Sequence, residues 1–194
     1  MMELASELLG TLLGGMIAVL SGLHLYKLQR REQITQKYID EFLSETMLRH
    51  RIIAARLRER IREKSGAVGS DGEPFSIELL ARGFWNGGAD EDYKYYKGPT
   101  DPHTGLNEHQ SLEAILQYIS RLIMNLERGN IDLADFKSAV RGSFIWLDDL
   151  LLPLEMEIKR QTDQRKREGK LATATDRINR LHKLRSELQL QKPD

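Results

Sequence analysis

Residues 8–26, LLGTLLGGMIAVLSGLHLY, form an uninterrupted run of 19 residues without a formal charge. In a helix rising about 1.5 Å per residue, such a run approaches the thickness of a hydrocarbon core of about 30 Å. A buried core helix of this length normally carries a polar face, and this run shows none. A cleaved secretory signal fits poorly as well, because Glu3 and Glu7 precede the run and no A-x-A-like site follows it. The run therefore predicts a single N-terminal transmembrane helix. Lys27, Arg30, Arg31 and Lys37 follow it and no Lys or Arg precedes it. The expected orientation is an N-terminus outside and a C-terminal part in the cytoplasm, at the inner (cell) membrane. His24 and Tyr26 then fall at the cytoplasmic interface, where amphipathic rings anchor a span.

Within the run, Gly10, Gly14, Ala18 and Gly22 recur at four-residue spacing and form one stripe of small residues. Such stripes let helix backbones approach closely in lipid, so the spacing predicts a homo-oligomer or a membrane partner protein.

The rest of the chain predicts an all-α fold: 1–31 as anchor and basic flank, 32–194 as one cytoplasmic helical domain, and 65–110 within it as a long loop. The absence of cysteine excludes a disulfide framework, thiolate metal sites and cysteine nucleophiles. The formal net charge of zero hides a segregation, since residues 27–64 carry 11 Lys/Arg against 6 Asp/Glu, 65–136 carry 5 against 12, and 137–194 carry 13 against 9. Docking of the acidic middle on the basic flanks accounts for this pattern, and so does a basic surface facing lipid headgroups.

No Gly or Pro stands between Gly22 and Gly66, so a helix is expected to run from the membrane to about Lys64, with Thr35 as N-cap if it restarts. Leu43, Met47, Ala54, Leu57 and Ile61 keep a four-three spacing, with His50 in the same stripe, and predict a bundle or short coiled-coil seam. His50 is read as a packed, hydrogen-bonded histidine. The other faces carry Arg49, Arg51, Arg56, Arg58, Arg60 and Arg62 as an expected basic surface.

Residues 65–110 hold 8 of the 15 glycines and 3 of the 5 prolines. Within them Pro74 and Gly83 are expected to bound a short helix over 75–82. Beyond the loop, Leu112, Ile115, Leu116, Ile119, Leu122, Ile123 and Leu126 mark one broad helical face ending at Gly129. Asp132 should cap a second helix with Leu133, Phe136, Val140, Phe144 and Leu147 inward and Gly142 permitting close packing. The short turn predicts an antiparallel hairpin. Pro153 should kink or interrupt the continuation, and 154–167 and 171–190 read as charged helices parted near Gly169, the last with Ile178, Leu181, Leu184 and Leu188 on its edge.

At this point the chain resembles a bacterial family of membrane-anchored helical proteins catalogued only as a domain of unknown function. The likeness rests on TQKYIDEFLSE and on LEAILQYISRLIMNLERGNIDLADFKSAVRGSFIWLDDLLLPLEMEIKR, with Glu127, Gly129, Ile131, Asp132, Trp146 and Pro153 as markers. It covers most of residues 30–185. It implies a bacterial or prophage origin and a one-span anchor, and it supplies no catalytic residues. The loop 65–110 is longer than the resemblance leads one to expect.

Candidate chemistry is sparse. Asp101, His103, Glu108 and His109 are oxygen and nitrogen donors in one loop, but their spacing matches no zinc or calcium motif, so they read as a solvated loop. Asp90, Glu91 and Asp92 could take a cation or meet the arginine-rich helix, and Asp148 and Asp149 read as one exposed and one paired carboxylate. GAVGSDG at 66–72 lacks the Lys-Ser/Thr of a phosphate loop. No catalytic residue, cofactor or metal is expected, and nucleic acid is ranked below membrane lipid as a partner of the basic helix. The functional expectation is an interaction or scaffold module, with a membrane effector of phage defence or prophage exclusion, or an enzyme with a loop-borne site, as alternatives.

Overall fold

A computed structural model describes residues 2–63, 75–84, 95–168 and 175–188, with the backbone alone at 2–12, 63, 175–179 and 181. The regular structure among them is helical: α1 Met2–Leu43, α2 Glu45–Glu63, α3 Ile77–Arg82, α4 Glu108–Glu127, α5 Leu133–Arg167 and α6 Thr175–Glu187. One isolated antiparallel bridge joins Thr100 to Asn107. The all-α expectation therefore holds. Lys64, the 66–72 segment, Pro74, Trp85, Gly87, Gly88, Asp90, Glu91, Asp92, Tyr93 and Gly169 lie outside the described residues, as do the side chains of Ile178 and Leu181 and the surroundings of Gly10.

Among the described residues no helix is long and apolar enough to cross a membrane. The uncharged run begins at Leu8, ahead of Leu13, the first described side chain. The expected span thus gains no support from the described residues taken alone.

α1 continues without a break from residue 2 to Leu43 and ends at Ser44, whose hydroxyl donates to the Glu41 carbonyl at 2.7 Å and accepts from the Met47 amide at 3.2 Å. Ser44, not Thr35, starts the second helix. The Thr35 hydroxyl instead donates back to the Arg31 carbonyl at 2.8 Å, which holds it inside α1. It also accepts from the Asp132 backbone amide at 2.7 Å, so its side chain is committed to the α4–α5 turn. Of the expected seam, Met47, Ala54 and Leu57 are buried and Ile61 packs partly against the core, whereas Leu43 is exposed because the break turns it outward.

α2, α4, α6 and α5 form a ring in which each packs on the next and α5 closes back on α2. α4 and α5 are joined by the short turn around Gly129, and α2 and α6 each pack on both of them. The α4 face of Leu112, Ile115, Leu116, Ile119, Leu122 and Ile123 is buried throughout and broad enough for two neighbours, which α2 and α6 supply. The ends of α4 follow its sequence. Asn107 and Gln110 close a capping box at one end, and Gly129, at φ 67°, provides the left-handed stop at the other.

Asp132 caps α5 by accepting from the Ala134 and Asp135 amides. Pro153 does not interrupt α5, which runs 35 residues through it. The carbonyl deprived of a donor belongs to Asp149, an exposed residue, while Leu150, Leu151 and Leu154 around the proline are buried and keep the helix in place. Gly142 is exposed, and a methyl group there would meet nothing within 4 Å, so it mediates no close packing. The short helix before the loop starts at Ile77 after Ser76, not at Phe75. An aromatic cluster joins three helices at the centre: Phe42 stacks on Phe144 at 4.9 Å and packs on Tyr118 at 5.6 Å.

Candidate functional site

Residues 13–30 of α1 stand apart from the described bundle. Every described side chain from 13 to 30 is exposed, including Leu13, Met16, Ile17, Val19, Leu20, Leu23, Leu25, Tyr26 and Leu28. Among the described residues no atom lies within 4 Å of a methyl group built at Gly14, Gly15 or Gly22, so none of them covers the stripe at Gly14 and Gly22; Ala18 is exposed with them. At roughly 1–2 kcal/mol for each large apolar group left half in water, nine such residues carry a penalty on the order of 10 kcal/mol, comparable to the whole stability of a domain.

The bundle meets α1 from Arg31 onward. The Arg31 guanidinium lies 2.9 Å from Asp132, Thr35 holds the Asp132 amide, and Tyr38 donates to the Arg121 carbonyl at 3.2 Å. Tyr118 donates in turn to the Tyr38 carbonyl at 2.8 Å, and Arg121 pairs with Glu41. Successive contacts thus move up α4 as they move down α1. The α4–α5 turn is pinned where α1 enters the bundle, and the start of α4 lies at the opposite end.

At that opposite end the arginines of α2 meet the acidic residues of the loop and of α5. Arg60 reaches Glu108 at 3.2 Å, Arg56 reaches Asp101 at 3.0 Å, and Arg58 donates through Nε to Asp149 at 2.9 Å while its guanidinium lies 5.6 Å from the Trp146 ring centre. Arg51 turns inward over the Phe42 ring, 4.5 Å from its centre. Arg49 pairs with Glu45 one turn away and Arg62 is exposed. The expected basic surface is thus divided. Four of its six arginines serve intramolecular contacts with other elements, a pairing of residues up to 91 apart that spacing alone does not reveal.

The four donors read as a solvated loop are also redistributed. Asp101, Glu108 and His109 are buried, and only His103 is exposed. Asp101 accepts from the backbone amides of His103 and Thr104, from the Thr104 hydroxyl and from Arg56. Burial alone would raise its pKa, but these hydrogen bonds outweigh it and hold the carboxyl below the usual range. Glu108, with no exposed surface, accepts from the Tyr96 hydroxyl at 2.8 Å as well as from Arg60. Burial pushes its pKa up against the opposing pull of Tyr96 and Arg60. His109 stacks on Phe84 at 4.7 Å. Gly98 adopts φ 73°, and a methyl group there would come within 2.7 Å of the Glu108 Cβ, so glycine is required for the loop to close over this carboxylate. Among the described residues no group of three or more His, Asp or Glu is placed to hold a metal ion.

A cleft of about 590 Å³ opens at the α1–α2 break, lined by Ser44, Thr46, His50, Glu113, Gln117 and Arg180 among others. His50 lines it with its Nδ1 buried and without a hydrogen-bond partner among the described residues, and burial pushes its pKa down. The expectation of a hydrogen-bonded seam histidine is corrected accordingly. Near the middle of α5, Asp148 is buried and paired with Arg185, which also reaches Glu155 at 3.4 Å. Asp149 is exposed yet paired with Arg58, so both carboxylates have cationic partners and neither resembles half of a catalytic dyad.

Comparison with protein-family models, curated proteins and solved structures returns no match.

Proposed function

We propose that the chain is a membrane-anchored interaction module, in which residues 8–26 span the bilayer, the N-terminus faces outward and the helical bundle stands in the cytoplasm. The observation that carries this reading is the exposure of every described side chain from 13 to 30 on a helix that continues rigidly into a well-packed bundle. Lipid covers such a surface at no cost in buried polar groups, because the helix satisfies its own backbone. The run that begins at Leu8 supplies the length, and Lys27, Arg30, Arg31 and Lys37 supply the orientation. Gly10, Gly14, Ala18 and Gly22 are the proposed contact between copies, supported by the open space beside Gly14 and Gly22.

The pairing of Arg56, Arg58 and Arg60 with carboxylates of the same chain leaves α2 poorly suited to nucleic acid. The proposed function is therefore to hold a helical platform at the membrane and to assemble it. Sodium carbonate washing of membranes and a cytoplasmic reporter fused after Asp194 test the anchor. Retention in the washed pellet with an active reporter is expected, and release into the supernatant overturns the reading. Gly14→Ile, with Leu13→Ile as control, tests assembly in an intramembrane association assay, where only the first should lose signal.

A further inference from the structure

We infer that the α4–α5 turn is a second contact with the bilayer, in which Arg128 meets anionic phosphate-bearing headgroups and fixes the bundle upright on the membrane. This inference rests on the membrane anchor proposed above. The turn is tied to α1 at two points, the Arg31–Asp132 ion pair at 2.9 Å and the Asp132 amide on the Thr35 hydroxyl at 2.7 Å. Arg31 and Thr35 lie five and nine residues beyond Tyr26 on an unbroken helix, which is about 7.5 and 13.5 Å along its axis. A headgroup layer occupies roughly 5–8 Å on each side of the hydrocarbon core, so the turn extends from its outer edge to a few ångströms beyond it. The reach of an arginine side chain closes the remaining gap.

The charge at this end matches that placement. Arg128 is exposed at the end of α4, and neither it nor Lys27 nor Arg30 holds an ion pair among the described residues. Glu127, beside Arg128, is neutralised by Lys183 at 2.9 Å, and Asp132 by Arg31. Three exposed cations on two separate elements therefore lie at one end of the bundle, where Glu127 and Asp132 are paired and Glu32 and Asp135 are exposed. A single basic cluster on α1 would leave the bundle free to swing about the anchor, whereas a second point removed from the α1 axis restrains it. α5 then leads away from the membrane, and its 35 residues carry Glu168 about 50 Å from the surface.

The chain contains no cysteine, so a single introduced thiol reports position without background. Full-length Ala134→Cys and Glu168→Cys chains, each labelled with a fluorophore, are reconstituted in vesicles of phosphatidylcholine with about one third phosphatidylglycerol and a headgroup nitroxide. Strong quenching at position 134 and none at 168 is expected in anionic vesicles. Arg128→Gln in the Ala134→Cys background should lower the docked population by about fivefold, the worth of one basic residue near an anionic surface. Equal quenching at the two positions in chains that float with the vesicles overturns the turn contact and leaves the anchor intact. Chains that fail to float overturn both. Quenching that is insensitive to Arg128→Gln overturns the assignment to this arginine.

Discussion

At the end where α1 enters the bundle, Lys27, Arg30 and Arg128 are exposed and hold no ion pair among the described residues, whereas at the far end Arg56, Arg58 and Arg60 each hold a carboxylate. The same residue types serve different purposes at the two ends. Far from the proposed membrane they stitch an irregular loop and two helices together, and the buried Glu108 makes that stitching obligatory. Near it they are left available. A count of arginines along the sequence points to α2 as the basic surface, and the contacts point to the other end of the molecule.

The sharpest test of this contrast is Arg60→Ala, which leaves Glu108 with Tyr96 as its hydrogen-bond partner among the described residues and Arg56 as a more distant cation. A loss of about 3 kcal/mol is expected from breaking a buried pair on one side, read by urea denaturation of the detergent-solubilised protein. The pH dependence carries a sign. Burial raises the Glu108 pKa, so the stability due to its titration is fully present below the ordinary carboxylate value and is lost as pH rises through the folded one. Removing Arg60 raises the folded value further, and the deficit of Arg60→Ala should therefore shrink between pH 7 and pH 5. A deficit that grows on acidification would sink the account of this carboxylate. Asp101 has the opposite sign. Its lowered pKa gives stability above the unfolded value that is lost as pH falls through the folded one.

Thr35→Val probes the near end, where it removes the acceptor of the Asp132 amide while keeping the shape of the side chain. About 1–2 kcal/mol should be lost, with the helix content unchanged by circular dichroism. Arg58→Ala comes next, at about 0.5–1 kcal/mol, because Asp149 is exposed and much of the contact is packing on Trp146. Arg128→Gln should change bundle stability by less than about 0.5 kcal/mol in detergent, since it gives up no ion pair among the described residues. If denaturation places Arg128→Gln level with Arg60→Ala, the distinction between the two ends disappears.

Much of the helical frame is legible in the sequence where local chemistry decides it. The α4 stripe, the stop at Gly129 and the Asp132 cap all follow from periodicity and termini. The start of α2 does not, because Thr35 and Ser44 are both acceptable N-caps and the choice depends on a distant amide at Asp132. Pro153 does not end α5 for a related reason: buried leucines on either side outweigh one lost hydrogen bond. The polar junction was the least legible part. Asp101, Glu108 and His109 are noticeable as residue types, but their burial depends on Arg56, Arg60 and Tyr96 arriving from elsewhere in the chain. The closest available signal was the charge segregation between 27–64 and 65–136. It indicates that the two segments attract and leaves the partners unassigned.

The absence of any joint in α1 between residue 2 and Leu43 has a mechanical consequence. A continuous helix transmits torque, so the small-residue stripe and the Phe42 ring are fixed in angular phase along one shaft. Adding one residue between Tyr26 and Arg31 would advance that phase by about 100°. If two copies meet through the proposed anchor, the azimuth of that contact and the heading in which each bundle points are consequently a single variable, with Ser44 as the first place where rotation can be absorbed.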